Sequence, residues 1–129
     1  MKKRVTGLGG IFFKSTDSKA SKAWYAKHLG LPVDEYGCTF WWKDAQGKKA
    51  STHWSPFESD TTYFEPSEQP FMVNFRVENL NNLITVLKSE GVTIVGDIQT
   101  FDYGKFAWIL DPEGNKIELW EPIDSAFEN

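Results

Sequence analysis

The two halves of this chain follow one order of sequence patterns, and that repeat restricts the fold more than any other property. Each half opens with an apolar stretch, continues with a polar cap and a helical pattern, and ends in strand-like segments. Phe13 precedes Phe75 by 62 residues, and Trp54 precedes Trp120 by 66. Two tandem copies of one supersecondary unit therefore account for the chain, and 129 residues exclude a longer array.

One helix is predicted in each half, opened by a polar residue and followed by glycine. Asp17 precedes a helical stretch that runs to His28, and Gly30 follows it. In the second half, Asn79 is the predicted N-cap and Gly91 the closing residue. The second helix carries apolar residues at the spacing of one buried face: Leu80, Leu83, Ile84 and Leu87.

Strand-like segments surround each helix. The first half carries them at 10–13, 31–36, 38–43 and 49–54, and the second at 71–77, 93–98, 105–110 and 116–121. Matching turns join the last two strands of each half, Asp44-Ala45-Gln46-Gly47 and Asp111-Pro112-Glu113-Gly114. The pattern predicts an α+β fold built from two βαβββ modules, with the helices outside the sheet.

The predicted organisation is a single domain, residues 1–129. Module one spans residues 5–56 and module two spans 70–122. The linker at 57–69 is rich in Ser, Asp, Thr, Glu and Pro, which is typical of an exposed connection, and 123–129 form a tail.

Composition narrows the classes of function. A net charge of −4 disfavours nucleic acid as a partner, because phosphate binding needs a clustered basic face. A single cysteine, Cys38, excludes an internal disulfide and a cysteine-based zinc site. Since no signal peptide or membrane span is recognised, a cytoplasmic protein without a membrane partner is expected. Aromatic residues make up 16%, enough to line an apolar cavity or a subunit interface.

Two motifs carry a resemblance to a known family. The end of the chain reads Asp111-Pro112-Glu113-Gly114-Asn115-Lys116-Ile117-Glu118-Leu119-Trp120-Glu121-Pro122, and the second helix is opened by Phe75-Arg76-Val77-Glu78-Asn79-Leu80. With the tandem βαβββ order, they resemble the glyoxalase/bleomycin resistance/dioxygenase (vicinal oxygen chelate) superfamily over residues 10–122. The resemblance implies a curled, half-barrel-like mixed sheet around a cavity, and a homodimer.

Metal-dependent relatives hold a divalent ion at four strand positions, and the resemblance transfers these positions to Gly10, Thr52, Met72 and Glu118. Only Glu118 is a good ligand, because glycine has no side chain, Met is a soft thioether and Thr is a poor neutral donor. The family metal site is therefore predicted to be incomplete, and no cofactor is predicted. A divalent ion remains the alternative.

Period-2 alternation assigns the cavity side of the strands. The residues assigned to the ligand pocket are Phe12, Asn74, Arg76, Trp54, Trp120 and Met72. His53 follows Thr52 and is predicted to face away from the cavity, as a hydrogen-bonded structural histidine. Aligning the modules by their turns, however, disagrees by one residue with aligning them by their prolines, so a β-bulge in module one that would turn His53 inward stays open.

Glu118 is the candidate catalytic residue. A carboxylate desolvated among Trp54, Trp120 and Met72 would have a raised pKa and could act as a general base. The alternative is a structural ion pair with a cation on the same face: Lys14, Arg76 or Lys116.

Three functions are carried forward. The first is metal-independent binding of a small organic molecule in an aromatic cavity. The second is a lyase- or isomerase-type enzyme acting on a carbonyl compound, with Glu118 as base. The third is a non-catalytic interaction module whose cavity is filled by its own side chains. The superfamily hosts several chemistries on one scaffold, so the resemblance does not choose among them.

Overall fold

A computed structural model describes residues 4–128. Residues 1–3 and residue 129, which belong to the predicted domain and tail, lie outside the described residues. Seven strands, two α-helices and one short 3₁₀ helix form the fold: β1 (Val5–Ser15), α1 (Ser18–Leu29), β2 (Cys38–Lys43), β3 (Lys49–Glu58), β4 (Phe71–Val77), α2 (Leu80–Ser89), β5 (Gln99–Phe101), β6 (Gly104–Leu110), β7 (Lys116–Pro122) and the 3₁₀ helix (Asp124–Phe127).

The seven strands form one mixed sheet in the order β2-β3-β1-β4-β7-β6-β5. In each half the first strand pairs in parallel with the last, β1 with β3 and β4 with β7. The antiparallel pair β1–β4 joins the two halves at the centre of the sheet. The prediction of an α+β fold with a mixed, unclosed sheet is confirmed.

Both helices begin at the predicted caps. The Asp17 carboxylate accepts a hydrogen bond from the backbone N–H of Ala20 at 3.0 Å, and Asn79 caps α2 in the same way. Gly30 ends α1 in the left-handed conformation, with a φ of 69°, where a residue with a Cβ would be strained. The apolar stripe of α2 buries Leu80 and Ile84, whereas α1 buries no residue completely.

One predicted strand of module one does not form. Residues 31–36 are a loop, and the side chain of Asp34 accepts hydrogen bonds from the backbone N–H groups of Tyr36 and Gly37. A short side chain that bonds to its own backbone stabilises a turn instead of a strand. Module one therefore contains three strands.

The corresponding strand of module two lies elsewhere than predicted. Within residues 93–98 only Ile94 pairs, in a single bridge with Ile109. Gly96 has a φ of 73°, which interrupts an extended strand there, and the edge strand β5 forms at Gln99–Phe101 instead. The expectation of a strand at 93–98 is wrong in position.

The predicted linker is not a fully exposed connection. Phe57 and Glu58 still belong to β3, and Phe64 is completely buried. Phe64 packs in an apolar cluster with Met72, Phe106, Trp108 and Trp120. The segment is mostly polar in sequence, but its buried Phe64 ring packs against the sheet and anchors the loop there.

Alternation along β6 and β7 separates two cores. Ala107 and Leu119 pack against Leu80 and Ile84 of α2. Phe106, Trp108 and Trp120, which are neighbours of these two residues along the strands, belong to the cluster that contains Phe64, on the other face of the sheet. Neither helix of residues 4–128 is long and apolar enough to cross a membrane.

Candidate ligand-binding cavity

A cavity of about 880 Å³ lies on the face of β6 and β7 that points away from α2. All seven strands, three loops and the 3₁₀ helix contribute to its walls. Ten of the 18 lining residues are aromatic: Phe12, Tyr36, Phe57, Tyr63, Phe101, Tyr103, Phe106, Trp108, Trp120 and Phe127. The other lining residues are Gly9, Asp34, Thr39, His53, Asn74, Gln99, Glu118 and Ala126.

Glu118 is the most buried ionisable group in the cavity wall, with 2% of its surface exposed. Its Oε1 accepts a hydrogen bond from Asn74 Nδ2 at 2.6 Å. Its Oε2 accepts from Trp108 Nε1 at 2.8 Å and from the Tyr63 hydroxyl. Three donors from three segments of the chain therefore hold one carboxylate.

The strand register fixes two of these donors. Glu118 pairs with Asn74 across β4–β7 and with Trp108 across β6–β7. Side chains of directly opposed residues point to the same face, so both strands deliver a donor to the carboxylate. The third donor, Tyr63, comes from the linker next to the buried Phe64.

Burial and hydrogen bonding act on Glu118 in opposite directions. Burial raises the pKa of this carboxyl, and the hydrogen bonds from Tyr63, Asn74 and Trp108 oppose that rise without cancelling it. Burial and the charge of Glu118 together raise the pKa of Tyr63, which keeps its hydroxyl protonated as a donor. The site thus combines the Glu118 carboxyl, whose pKa is raised, with a neutral Tyr63 hydroxyl that donates to it.

Glu118 forms no ion pair within residues 4–128. Arg76 binds Asp124 instead, and the Lys116 ammonium donates to the backbone carbonyl of Tyr63 at 2.7 Å. Three neutral donors bind the Glu118 carboxylate in place of the ion pair of the alternative, and Lys116 acts on it only through its charge, from beyond ion-pair distance.

The pocket residues predicted from the sequence fall into two groups. Phe12, Asn74 and Trp120 line the cavity. Met72 is completely buried in the apolar cluster behind the lining and does not itself reach the cavity. The expectation that Met72 lines the pocket is therefore wrong, because this side chain packs behind the residues that form the wall.

Trp54 and Arg76 do not line the cavity, and these two expectations are wrong. The ring of Trp54 packs on Phe13 at 5.5 Å and on Tyr25 of α1 at 4.5 Å between centroids, on the helix side of the sheet. Arg76 lies between the rings of Trp42 and Trp120 and is bound to Asp124. Its charge is therefore already neutralised within the protein.

The cavity-facing residues of β3 were predicted one position too far along the strand. The two turns have equal length, since Lys43 pairs with Lys49 and Leu110 pairs with Lys116. By this alignment Ser51, not Thr52, corresponds to Glu118. The β2–β3 ladder runs without a bulge, so the turns and not the terminal prolines give the correct alignment.

His53 consequently lines the cavity, contrary to the prediction that it faces away. The Ser51 hydroxyl donates to Asp124 at 2.8 Å, so it accepts from His53 Nε2–H at 2.9 Å. His53 Nδ1 then accepts from the Thr39 hydroxyl at 3.2 Å. Burial lowers the pKa of His53, which favours this neutral form.

The tail closes one wall of the cavity, although its sequence shows no sign of this role. Asp124 accepts two hydrogen bonds from Arg76, at 2.8 and 2.7 Å, and fixes the 3₁₀ helix. The ring of Phe127 then packs on His53 at 4.3 Å and on Trp120 at 5.9 Å.

The sequence interpretation missed Tyr63 and Phe57, because both lie in the predicted linker. Their rings stack at 5.7 Å with an interplanar angle of 13°. The available signal was three aromatic residues, at 57, 63 and 64, within a stretch otherwise rich in polar residues.

The donors around Glu118 do not fit a divalent ion. Within residues 4–128, no group of three His, Cys, Asp or Glu side chains is placed to hold one. Gly10 offers no side chain, and both Glu118 oxygens face N–H and O–H donors, which repel a cation directed at the same lone pairs.

Comparisons with known proteins agree on the fold. The sequence model described as Glyoxalase/Bleomycin resistance protein/Dioxygenase superfamily matches residues 9–119. No curated protein matches the chain. Methylmalonyl-CoA epimerase from Mycobacterium tuberculosis is a similar solved structure, with 20% identity, a TM-score of 0.66, and 100% of this chain and 96% of that chain covered.

Two further structures are similar at lower identity. Methylmalonyl-CoA epimerase from Streptomyces coelicolor, in complex with 2-nitronate-propionyl-CoA, has 13% identity and a TM-score of 0.69, covering 92% of this chain and 99% of that chain. The Mn(II)-bound glyoxalase from Novosphingobium aromaticivorans has 16% identity and a TM-score of 0.62, covering 92% of this chain and 39% of that one. At these identities the likeness concerns the fold alone.

Proposed function

The chain belongs to the Glyoxalase/Bleomycin resistance protein/Dioxygenase superfamily, and we propose that it binds a small organic molecule in the aromatic cavity without a complete divalent metal site. The cavity itself carries this proposal. Its volume of about 880 Å³ falls in the range of ligand pockets, ~300–1,000 Å³. Apolar walls with a few convergent polar groups are the usual composition of such pockets.

The cavity has few polar groups, and hydrogen bonds within the protein fix the orientation of two of them. Glu118 offers an acceptor, held in place by Asn74 and Trp108, and His53 is held by Thr39 and Ser51. Rings that are fixed by packing and polar groups that are fixed by hydrogen bonds bind a ligand with little loss of conformational entropy. The walls suit a flat molecule with one polar end.

The size of the cavity argues against the third hypothesis, an interaction module filled by its own side chains. Phe64 and Met72 fill the space behind the wall, and the volume in front of them stays open. A collapsed module would have placed these side chains in the cavity itself.

Catalysis on a carbonyl compound is the second candidate, and the raised pKa of Glu118 favours it. A base with a pKa closer to neutral accepts a proton from carbon more readily than an ordinary carboxylate does. In such a reaction Glu118 would take the proton next to the carbonyl. Replacing Glu118 with Gln would then abolish turnover and leave binding in place.

A homodimer in the cytoplasm is part of the proposal. β2 is an edge strand of the sheet and exposes Phe40 and Trp41. Exposed apolar side chains on an edge strand are typical of a protein–protein interface, and the family resemblance implies that the partner is a second copy of this chain. Light scattering on the purified protein decides between a mass of 14.8 kDa and twice that value.

Thermal-shift screening of a fragment library, with two matched variants, tests ligand binding. Ala126 lines the cavity, and Ala126→Trp places an indole in the binding space. Its neighbour Ser125 is exposed and does not line the cavity, so Ser125→Trp adds the same ring outside. Fragments that stabilise the wild type and Ser125→Trp, but not Ala126→Trp, support the proposal. A library without hits, or hits unaffected by Ala126→Trp, contradicts it.

A further inference from the structure

We infer that the molecule bound in this cavity is an organic cation, with an ammonium group on an aromatic or apolar body. The inference rests on the proposed binding function and names the ligand class for the same cavity. Three properties of the lining carry it: the sign of its charges, the free acceptor position on Glu118, and the aromatic rings around that carboxylate.

The charged residues of the lining have one sign. Asp34 and Glu118 are carboxylates, and neither Lys nor Arg is among the lining residues. The one basic group, His53, has a lowered pKa because it is buried, and its hydrogen bonds suit the neutral form. An anionic ligand would therefore be desolvated without a counter-ion, whereas a cation would meet one.

Glu118 has room for one more donor. Two donors bind its Oε2 and one donor, Asn74 Nδ2, binds its Oε1. A carboxylate offers about four acceptor positions, two on each oxygen, so Oε1 keeps one for a ligand N–H. A hydrogen bond between an ammonium and a carboxylate is stronger than one between neutral groups.

Aromatic rings surround the carboxylate. Tyr63 and Trp108 both bond to it, and Phe57 stacks on Tyr63. Rings attract a cation placed over their faces by about 0.5–2 kcal/mol each, and the attraction is stronger when water is excluded. Tyr63 and Trp108 turn their donor edges to Glu118, and Lys116 lies over both rings, so the attraction for a ligand ammonium comes from the other aromatic rings of the lining.

The protein itself places an ammonium on two of these rings. The Lys116 Nζ lies 5.3 Å from the centroid of Tyr63 and 5.6 Å from that of Trp108. Lys116 lies outside the cavity lining and beyond ion-pair distance of Glu118 among the described residues, and its charge lowers the pKa of that carboxyl, which favours the ionised form that a cationic ligand needs.

Three probes of one shape and different charge test the inference: 2-phenylethylammonium, 2-phenylethanol and phenylacetate. Dissociation constants are measured by calorimetry or NMR titration at pH 7. We expect the ammonium to bind about tenfold more tightly than the alcohol, and phenylacetate to bind most weakly.

Glu118→Gln isolates the contribution of the charge. The Gln oxygen can accept from Tyr63 and Trp108, while its amide donates to Asn74 Oδ1, which has no partner among the described residues and needs only a flip of the Asn74 amide. The variant should lose the roughly tenfold preference for the ammonium and keep its affinity for 2-phenylethanol.

Glu113→Gln is the matched control. Glu113 is exposed in the β6–β7 turn, away from the lining, and the substitution removes the same unit of charge. It should leave all three dissociation constants unchanged. A loss of preference in Glu113→Gln equal to that in Glu118→Gln would mean that net charge alone is measured, and it would overturn the inference.

Other outcomes separate this inference from the proposed function. Equal binding of the three probes, or a preference for phenylacetate, overturns the cation inference and leaves small-molecule binding intact. If none of the three binds, the fragment screen decides: cavity-dependent hits that are not enriched in cations also overturn the inference. A screen without cavity-dependent hits overturns the proposed function as well.

Discussion

Asn74 lies directly opposite Glu118 in the parallel pairing of β4 with β7, and its amide donates to Glu118 Oε1 at 2.6 Å. The pair joins the first strand of module two to its last strand in the floor of the cavity. Both side chains are about 2% exposed, so their contact depends on the backbone register and not on surface rearrangement. A substitution at position 74 should therefore change the hydrogen bonding and the pKa of the Glu118 carboxyl.

Asn74→Asp should destabilise the protein in a pH-dependent way. The variant places a second carboxyl 2.6 Å from Glu118. Two buried carboxyl groups at such a short distance cannot both be ionised. We expect a loss of about 3 kcal/mol in the free energy of unfolding at pH 7, and a smaller loss at pH 5, where a shared proton relieves the repulsion. Urea unfolding at both pH values measures it.

Asn81→Asp is the control for that variant. Asn81 is exposed on α2, so the same substitution should change the free energy of unfolding by less than about 0.5 kcal/mol. A loss in Asn74→Asp that does not depend on pH would contradict the contact between the two carboxyls.

Gly9→Ala should disturb the same contact from the other side. A Cβ at position 9 would overlap Asn74 Oδ1 and lie 3.0 Å from Trp120 Cε3. We expect a destabilisation of about 1–3 kcal/mol, as for other overpacked cores, measured by urea unfolding. In the double variant with Asn74→Ala, the overlapping atom is gone, so Gly9→Ala should then cost clearly less. Equal costs in both backgrounds would contradict the predicted overlap.

The sequence predicted most of the fold because its signals there are local. Asp17 and Asn79 cap the two helices, and the turns at 44–47 and 111–114 join the strands as expected. The missing strand at 31–36 has an equally local cause, the side chain of Asp34, which competes with strand pairing by bonding to the backbone.

The site was harder to predict, because it depends on register and on segments distant in sequence. Because of a shift of one residue, His53 lines the cavity where Trp54 was expected, and the buried Ser51, not Thr52, lies next to it and bonds to it. Tyr63 and Glu118 are 55 residues apart in the sequence, and hydrophobic periodicity does not predict a contact between such distant residues. Glu118 itself was found because its strand alternates regularly and carries a specific motif.

Removal of metal should not affect this protein. Since residues 4–128 contain no group of three His, Cys, Asp or Glu placed around an ion, protein purified without a metal-binding tag should carry far less than one divalent ion per chain. Titration with Mg²⁺, Mn²⁺, Ni²⁺ and Zn²⁺ should leave the melting temperature unchanged, as should a chelator. One tightly held ion per chain, lost on Glu118→Ala, would restore metal-assisted catalysis as the leading function.

Asp124→Asn should loosen the wall that the tail forms. Burial raises the pKa of Asp124, but the hydrogen bonds from Arg76 and Ser51 outweigh it and hold the pKa below its ordinary value. A carboxyl with a depressed folded pKa stabilises the protein above its unfolded pKa and loses that contribution as the pH falls through the folded value. We therefore expect a loss of about 2 kcal/mol at pH 7, which shrinks below pH ~4, in urea unfolding.

Asp102→Asn removes the same charge from an exposed residue and should cost almost nothing at either pH. The Asp124 variant has a second expected effect, because the Arg76–Asp124 contact fixes the 3₁₀ helix whose Phe127 packs on His53. The His53 ring protons, followed by NMR, should shift in Asp124→Asn and stay in place in Asp102→Asn. A stable variant with unchanged His53 resonances would mean that Phe127 holds the tail without the ion pair, and the wall would then depend on packing alone.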